Sequence, residues 1–169
     1  MKTKILICTA IIITALVNFA CQKESRSSTL RIRMTDAPTA LEEVNVDLRE
    51  INIKFQDDNS SWVSMNTKAG IYNLLGLQNG VDTLIGEGTY PEGSKVKEIR
   101  FVLGPNNTVK ENGEVYPLVI PSGGESGLKI KFDKDLRKPL DSVLIDFDAA
   151  LSVAKETSGY KLRPVLKIK

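Results

Sequence analysis

Apolar and polar residues alternate with a period of two along most of the chain from residue 29 onward. In the first run, Leu30, Ile32 and Met34 are separated by arginines. Successive side chains of a β-strand point to opposite faces of its sheet, so this pattern predicts strands with one buried face. No stretch sustains the helical period for more than about two turns. The alternation therefore predicts an all-β fold for residues 29–169.

Turn signals between the short runs indicate how the strands are connected. Asn112-Gly113 predicts a tight hairpin, and the apolar positions change parity near Arg49-Glu50, which predicts a β-bulge. Residues 160–168 fit a last strand, with Pro164 at an edge or a bulge. Many short strands with turns between them predict an antiparallel β-sandwich with at most one or two short helices.

The N terminus has the composition of an export signal. Lys2 and Lys4 precede an apolar stretch at residues 5–17, and Ala20 stands directly before Cys21. The apolar stretch is shorter than the roughly 20 residues that span a bilayer. A small residue before a cysteine resembles a bacterial lipobox. We therefore expect a signal peptide that is cleaved before Cys21, and a palmitate-type lipid anchor on that cysteine.

The residues after the expected cleavage site indicate a destination. The sequence Gln-Lys-Glu-Ser, residues 22–25, resembles the surface-export signal of Bacteroidetes lipoproteins, which implies an outer-membrane anchor facing the medium. Asn18 departs from the leucine that is usual in a lipobox. The predicted organisation is a signal peptide at residues 1–20, a lipidated cysteine and polar tether at residues 21–28, and one domain at residues 29–169.

Composition excludes several kinds of site. The chain has no histidine, which excludes a histidine general base, a Ser-His-Asp triad and a His-ligated metal. Loss of Lys2 and Lys4 leaves 21 basic and 21 acidic residues, a balance that lacks the electrostatic footprint of nucleic-acid binding. Cys8 leaves with the signal peptide, so no disulfide is expected. No cofactor and no metal are predicted.

Asp146 and Asp148 are a candidate catalytic pair. Because they flank Phe147 on a predicted strand, both carboxylates are expected on one face and Phe147 in the core. Two carboxylates roughly 5–10 Å apart can hydrolyse a glycoside. In the alternative interpretation, which we favour, Asp148 caps the turn into Ala149 and Asp146 accepts a structural hydrogen bond.

A segment rich in glycine and serine is the candidate ligand-binding loop. Its backbone amides can form a nest for an anion or a sugar hydroxyl, although it lacks the ending of a P-loop. The alternative is a plain connection between two strands. The residues of this candidate loop are Ser122, Gly123, Gly124, Glu125, Ser126 and Lys129.

Two further groups have weaker signals. A polar turn offers oxygen ligands for calcium but is better explained as a solvated turn; it contains Asp57, Asp58 and Asn59. The larger aromatic residues could stack on a sugar, although a core role is expected for most of them; they are Trp62, Tyr72, Tyr90, Tyr116 and Tyr160.

Several phrases of the chain together resemble a known family. They are Leu-Arg-Ile-Arg-Met-Thr-Asp-Ala-Pro from Leu30, Tyr-Asn-Leu-Leu-Gly-Leu-Gln-Asn-Gly from Tyr72, Lys-Glu-Ile-Arg-Phe-Val-Leu from Lys97, Pro-Ser-Gly-Gly-Glu-Ser-Gly-Leu-Lys from Pro121, Asp-Phe-Asp-Ala from Asp146 and Tyr-Lys-Leu-Arg-Pro-Val from Tyr160. They resemble the bacterial and archaeal lipoprotein family called domain of unknown function 4382. The resemblance implies a prealbumin-like (transthyretin-like) sandwich, beside the immunoglobulin-like one that strand spacing allows, and it assigns no catalytic residue.

Three functions remain open at this stage. We expect a non-catalytic module on the cell surface, held by its lipid in the membrane, that binds a glycan or an envelope protein. The first alternative is a glycoside hydrolase that uses Asp146 and Asp148. The second is a pilus-like assembly subunit that exchanges a strand at an open sheet edge. A cleft lined by both carboxylates, an aromatic patch or an apolar groove of strand size would distinguish the three.

Overall fold

The computed structural model describes residues 26–56, 61–121 and 127–169, and its regular structure is almost entirely β. The helical elements of these ranges are the 3₁₀ helix Leu74–Leu77 and the single turn α1 (Ala149–Ser152). The strands are, in chain order, β1 (Ser27–Thr35), β2 (Glu43–Phe55), β3 (Val63–Ser64), β4 (Asn66–Thr67), β5 (Gly70–Asn73), β6 (Thr83–Pro91), β7 (Lys95–Leu103), β8 (Thr108–Glu111), β9 (Glu114–Val119), β10 (Leu128–Asp135), β11 (Leu140–Phe147), β12 (Val153–Glu156), β13 (Gly159–Leu162) and β14 (Leu166–Ile168).

The strands form two sheets, which confirms the predicted all-β sandwich. The five-stranded sheet has the order β14-β11-β1-β6-β4. The nine-stranded sheet has the order β10-β7-β2-β8-β9-β13-β12, with β3 and β5 also paired to β2. The sheets are mixed rather than antiparallel throughout, since β1 runs parallel to β11 and β13 runs parallel to β9. Parallel neighbours cannot be joined by a hairpin, so the chain must cross over between these strands.

The core lies where the alternating apolar positions of the two sheets meet. Leu30 and Ile32 of β1 are fully buried, and so are Ile51 and Ile53 of β2. Each such side chain contributes about 1.5–3 kcal/mol relative to an exposed one. The burial of Leu30, Ile32 and Met34 follows the predicted period of two.

Local turn chemistry also follows the sequence. The register of β2 against β7 shifts between Leu48 and Glu50, at the predicted bulge. The hairpin between β8 and β9 turns at Asn112 and Gly113, which both have positive φ angles, 54° and 80°. A two-residue hairpin turn of this kind needs left-handed backbone at both positions, which Asn and Gly tolerate best.

The first strand begins earlier than predicted. β1 starts at Ser27, and Ser28 is fully buried, with its hydroxyl donating to the Lys138 carbonyl. The last two residues of the tether expected over residues 21–28 therefore belong to the sandwich.

Two stretches depart from the predicted strands. The alternation indicates only a short strand or turn at residues 81–85, whereas β6 continues through Gly86 to Pro91. A Cβ at Gly86 would lie 2.8 Å from the Met65 sulfur, so the glycine allows close packing there. The last strand expected over residues 160–168 is two strands, β13 and β14, in different sheets. Pro164 lies between them, where its missing N–H removes no ladder bond.

Candidate functional site

The predicted carboxylate pair lies where β11 ends and α1 begins. Asp146 and Asp148 are 4 % and 6 % exposed, and Phe147 between them is 3 % exposed. Phe147 is in the core, as predicted, but the strand is covered on both faces at this point. The two carboxylates are therefore enclosed rather than presented on an open surface.

Asp148 is the N-cap of α1, as the alternative interpretation of the pair predicts. Its carboxylate accepts hydrogen bonds from the Leu151 amide at 3.1 Å and from Lys167 Nζ at 3.0 Å. Burial favours the neutral acid, but the bonds from Lys167 and Leu151 prevail and hold the pKa of Asp148 below its usual value. An ionised cap of this kind is the opposite of a general acid, which needs a raised pKa.

Only one of the two carboxylate oxygens of Asp146 has a partner in the described residues. Its Oδ2 lies 2.9 Å from Lys169 Nζ, whereas Oδ1 is buried with no hydrogen-bond partner in the described residues. Asp36, which sequence reasoning missed as a site residue, lies nearby and accepts from the Ala149 amide at 2.8 Å and from Gln78 Nε2 at 3.0 Å. Burial raises the pKa of Asp36, and the negative charge of Asp146 adds to the shift. Asp36 thus ties the end of β1 to the start of α1.

Three clefts on the described surface do not reach these carboxylates. Clefts of about 390, 520 and 590 Å³ occur, and their lining residues include neither Asp36 nor Asp146 nor Asp148. The three acids bind amides, a glutamine and lysines of their own chain. Their contacts favour a structural role over a glycosidase pair.

The outer face of the nine-stranded sheet carries an aromatic and basic arrangement. Trp62 precedes β3, and its half-buried ring lies over the Arg100 guanidinium, with 4.6 Å between the guanidinium carbon and the ring centroid. Lys129 Nζ lies 5.9 Å from the same centroid. Such contacts stabilise by about 0.5–1 kcal/mol at exposed sites and more where water is excluded. We call the surface formed by Trp62, Arg100 and Lys129 the Trp62 face.

The candidate loop ends on the Trp62 face. Residues 122–126, which include Ser122, Gly123, Gly124, Glu125 and Ser126, lie outside the described residues. Gly127, directly after them, has φ +67° and packs so closely that an added Cβ would lie 2.8 Å from Arg100 Cγ. Lys129 follows two residues later. The fold therefore brings Lys129, one of the loop candidates, close to Trp62, which sequence reasoning treated separately.

Arg100 is the residue of this face that sequence reasoning missed. In the sequence it is one more polar position of an alternating strand, with no motif around it. Its partner Trp62 becomes visible only through the pairing of β3 with β2 and of β2 with β7.

The other aromatic residues do not join Trp62. Tyr90 packs edge-on against Phe55, with 5.0 Å between ring centroids, and Tyr116 packs against Tyr160 at the same distance. The Tyr72 hydroxyl donates to the Lys68 carbonyl. A sugar platform built from all five predicted aromatics does not exist in the described fold, and Trp62 alone remains a candidate.

Besides the loop residues, two other candidates fall outside the described ranges. Cys21 belongs to residues 1–25, and the polar turn with Asp57, Asp58 and Asn59 belongs to residues 57–60. Within the described ranges, no three Asp, Glu, Cys or His side chains are grouped as metal ligands. A helix long and apolar enough to cross a membrane is likewise absent from the part of the chain that the structure describes.

Comparison with known protein families identifies a match over most of the chain. Residues 27–164 match the family described as Domain of unknown function (DUF4382). The chain belongs to the DUF4382 family. No curated protein and no solved structure matches it. The matched range of the DUF4382 domain starts at the first residue of β1 and includes the Trp62 face and the three buried acids Asp36, Asp146 and Asp148.

The sheet edges of the DUF4382 domain, in the described residues, bear on the alternative that the protein is a pilus-like subunit that exchanges a strand. The apolar cleft of about 590 Å³ is lined by Leu103, Pro117 and Ile120 among others, including the exposed Val119 of β9. However, β9 pairs with β8 through residues 114–117 and with β13 at Leu118 and Val119, so the end of β9 that lines the cleft already has a strand partner. The outer strand β10 carries lysines, a common protection against edge pairing.

The raised pKa of Asp36 predicts a specific pH dependence. A carboxyl with a raised folded-state pKa stabilises most below its unfolded value of about 3.9, and this contribution is lost as pH rises through the folded-state pKa. Asp36→Asn cannot lose a proton and keeps an acceptor for the Ala149 amide. We therefore expect the stability of Asp36→Asn relative to wild type to increase as pH rises from about 4 to 7.

Urea denaturation of both proteins at several pH values tests this expectation. The lowered pKa of Asp141 and Asp148 makes the wild type lose stability in acid, but both proteins share these groups and the difference cancels them. Asp36→Ala, which leaves the Ala149 amide without its partner, should be less stable at every pH by about 1–3 kcal/mol. Stability profiles of wild type and Asp36→Asn that stay parallel would contradict the raised pKa.

Proposed function

We propose that this protein is a lipid-anchored module of the outer membrane that faces the medium and binds a glycan without catalysis. The Trp62 face is the single observation that carries the binding role. A half-buried indole that packs against a guanidinium offers an apolar ring of the kind that sugar rings stack on. The anchor is supported by the cysteine after an export signal. A prealbumin-like arrangement of the two sheets stays a prediction from the family resemblance.

The glycan proposal is preferred to the alternatives for reasons of contact and access. The candidate catalytic carboxylates are buried and are bonded to Lys167, Lys169 and backbone amides. The Trp62 face, by contrast, lies on the outside of a sheet, where an extended ligand can approach. An envelope protein is the alternative partner for the same surface.

Loss of the indole should abolish most of the binding. We expect Trp62→Ala to weaken retention on a responsive glycan at least tenfold, or by about 1.4 kcal/mol. Affinity electrophoresis and a glycan array with the detergent-solubilised full chain measure this effect. Trp62→Phe, which keeps an aromatic surface, should retain part of the affinity.

Tyr116→Ala is the matched control for this experiment. Tyr116 is a half-buried aromatic residue on β9 of the same sheet, paired with Tyr160 and remote in sequence from the Trp62 face. It should bind like wild type. The proposal would be wrong if no glycan of the array bound the wild type, or if Trp62→Ala and Tyr116→Ala weakened binding equally.

A further inference from the structure

Most basic side chains of the described residues are neutralised by a carboxylate. Of the 20 lysines and arginines in these ranges, twelve form ion pairs. The remaining eight have no carboxylate partner in the described part of the chain. Half of these eight lie side by side on the outer face of the nine-stranded sheet: Lys54, Arg100, Lys129 and Lys131.

Strand register places these four cations in two neighbouring rows. Each row, which we call a rung, consists of residues that lie opposite one another on β2, β7 and β10. Asn52 of β2 is opposite Arg100 of β7, which is opposite Lys129 of β10. The second rung, two residues along each strand, holds Lys54, Glu98 and Lys131 in the same order. Positions two residues apart on a strand share a face and are about 7 Å apart. The cations therefore form a compact array around the indole of Trp62.

The row between these rungs confirms which way they face. Ile53, Ile99 and Ile130 are opposite one another, and the first two are fully buried in the core. Side chains alternate between the faces of a sheet, so Lys54, Arg100 and their rung neighbours point outward.

Arg100 has unused hydrogen-bonding capacity. Its Nε atom is buried and has no partner in the described residues, although a guanidinium offers five N–H donors. A buried donor without an acceptor is unfavourable, which makes this guanidinium a place where an added acceptor is stabilising. Trp62 covers one part of this side chain and Gly127 another, so the guanidinium is fixed in place.

The acidic groups of this surface do not cancel its charge. Glu98 stands between Lys54 and Lys131 without forming an ion pair, and Asp133 is bound by Lys95 and Lys97. A cleft of about 390 Å³ opens beside the second rung, lined by Lys54, Lys131 and these acids among others. A basic surface beside a cleft, in a chain whose net charge is close to zero, attracts anions locally.

We propose that the Trp62 face and its second rung bind an anionic glycan, with uronate or sulfate groups. This inference rests on the proposed glycan-binding function and names its ligand class. A sugar ring stacks on Trp62, and its carboxylate or sulfate accepts hydrogen bonds from Arg100 and Lys129. An acidic group on the next sugar reaches Lys54 and Lys131. Charge-assisted bonds of this type are about twice as strong as neutral ones.

The test compares two charge-matched double variants of the full chain in detergent, with polygalacturonate and heparin as anionic probes and dextran as a neutral probe. Lys129→Gln with Lys131→Gln removes two cations of the site. Lys68→Gln with Lys110→Gln removes two other unpaired cations and is the control for net charge. We expect the first variant to bind at least one anionic probe tenfold or more weakly, the control to bind within twofold of wild type, and 0.5 M salt to weaken wild-type binding at least tenfold.

Several outcomes would overturn the inference, and the first two leave the proposed glycan-binding function to be judged separately. Dextran binding that depends on Trp62 but not on the lysines would leave glycan binding standing and remove the anionic specificity. An equal loss in both double variants, or equal binding of a short DNA duplex, would reduce the effect to general polyanion attraction. If none of the three glycans bound the wild type, the inference would fail together with the proposed function.

Discussion

Phe147→Ala is expected to lower the free energy of unfolding by about 3–5 kcal/mol. Phe147 is the last residue of β11, which is paired with both β1 and β14, and its side chain is 3 % exposed. Removal of the ring takes away its transfer free energy and leaves a cavity that a strand fixed on both sides cannot close. Urea denaturation of wild type and variant measures the loss.

Two controls separate this cavity from a general effect at the same place. Phe147→Leu keeps most of the volume and should cost less than about 1.5 kcal/mol. Leu151→Ala removes a side chain of α1 that is 60 % exposed and should stay within about 0.5 kcal/mol of wild type. A loss below about 1.5 kcal/mol for Phe147→Ala would show that the ring is not enclosed as described.

The neighbouring acids give a sharper comparison. Asp148→Ala removes the cap of α1 and should cost about 0.5–2 kcal/mol, whereas Asp148→Asn, another good capping residue, should cost less. If Asp146→Asn and Asp148→Asn left stability intact but removed hydrolysis of a glycan that the wild type cleaves, the hydrolase alternative would replace a structural role for the pair.

The parts of the fold that follow from the sequence are those set by local chemistry. The strand Lys95–Leu103 ends where its alternation ends, and the turn at Asn112 and Gly113 uses residues that tolerate positive φ. The bulge near Glu50 appears as a change of parity, since a slipped residue moves every later side chain to the other face.

The parts that do not follow depend on contacts distant in sequence. Gly86 looks like the end of a strand, but the close approach of Met65 and Ile51 requires a residue without a Cβ. Asp36 bonds to an amide 113 residues away, and nothing in the Thr-Asp-Ala-Pro phrase reveals this partner. Arg100 and Trp62 meet only after three strands have paired in register. Strand order, rather than strand content, is therefore what sequence reasoning could not supply, and the candidate site depends on it.

Cys21→Ser should move the protein from the membrane fraction to the soluble fraction, or leave it with its signal peptide attached. The export signal and the alanine before Cys21 predict this residue as the acylation point, and more than one acyl chain is needed for stable anchoring. Labelling with a palmitate analogue and membrane fractionation measure the change. Cys8→Ser is the matched control, because Cys8 lies in the segment expected to be removed, and it should leave labelling and fractionation unchanged.

The early start of β1 limits how far the domain can lie from a lipid on Cys21. Five residues separate Cys21 from Ser27, and each spans at most about 3.3–3.6 Å, so an anchored domain stays within roughly 20 Å of the lipid surface. Because the proposed function places the domain on the side facing the medium, protease added to intact cells should degrade the anchored wild type. Protection of the wild type would instead place the domain in the periplasm. A Cys21→Ser protein that stayed in the membrane fraction through a high-salt wash, with wild-type labelling, would place the anchor elsewhere in the chain.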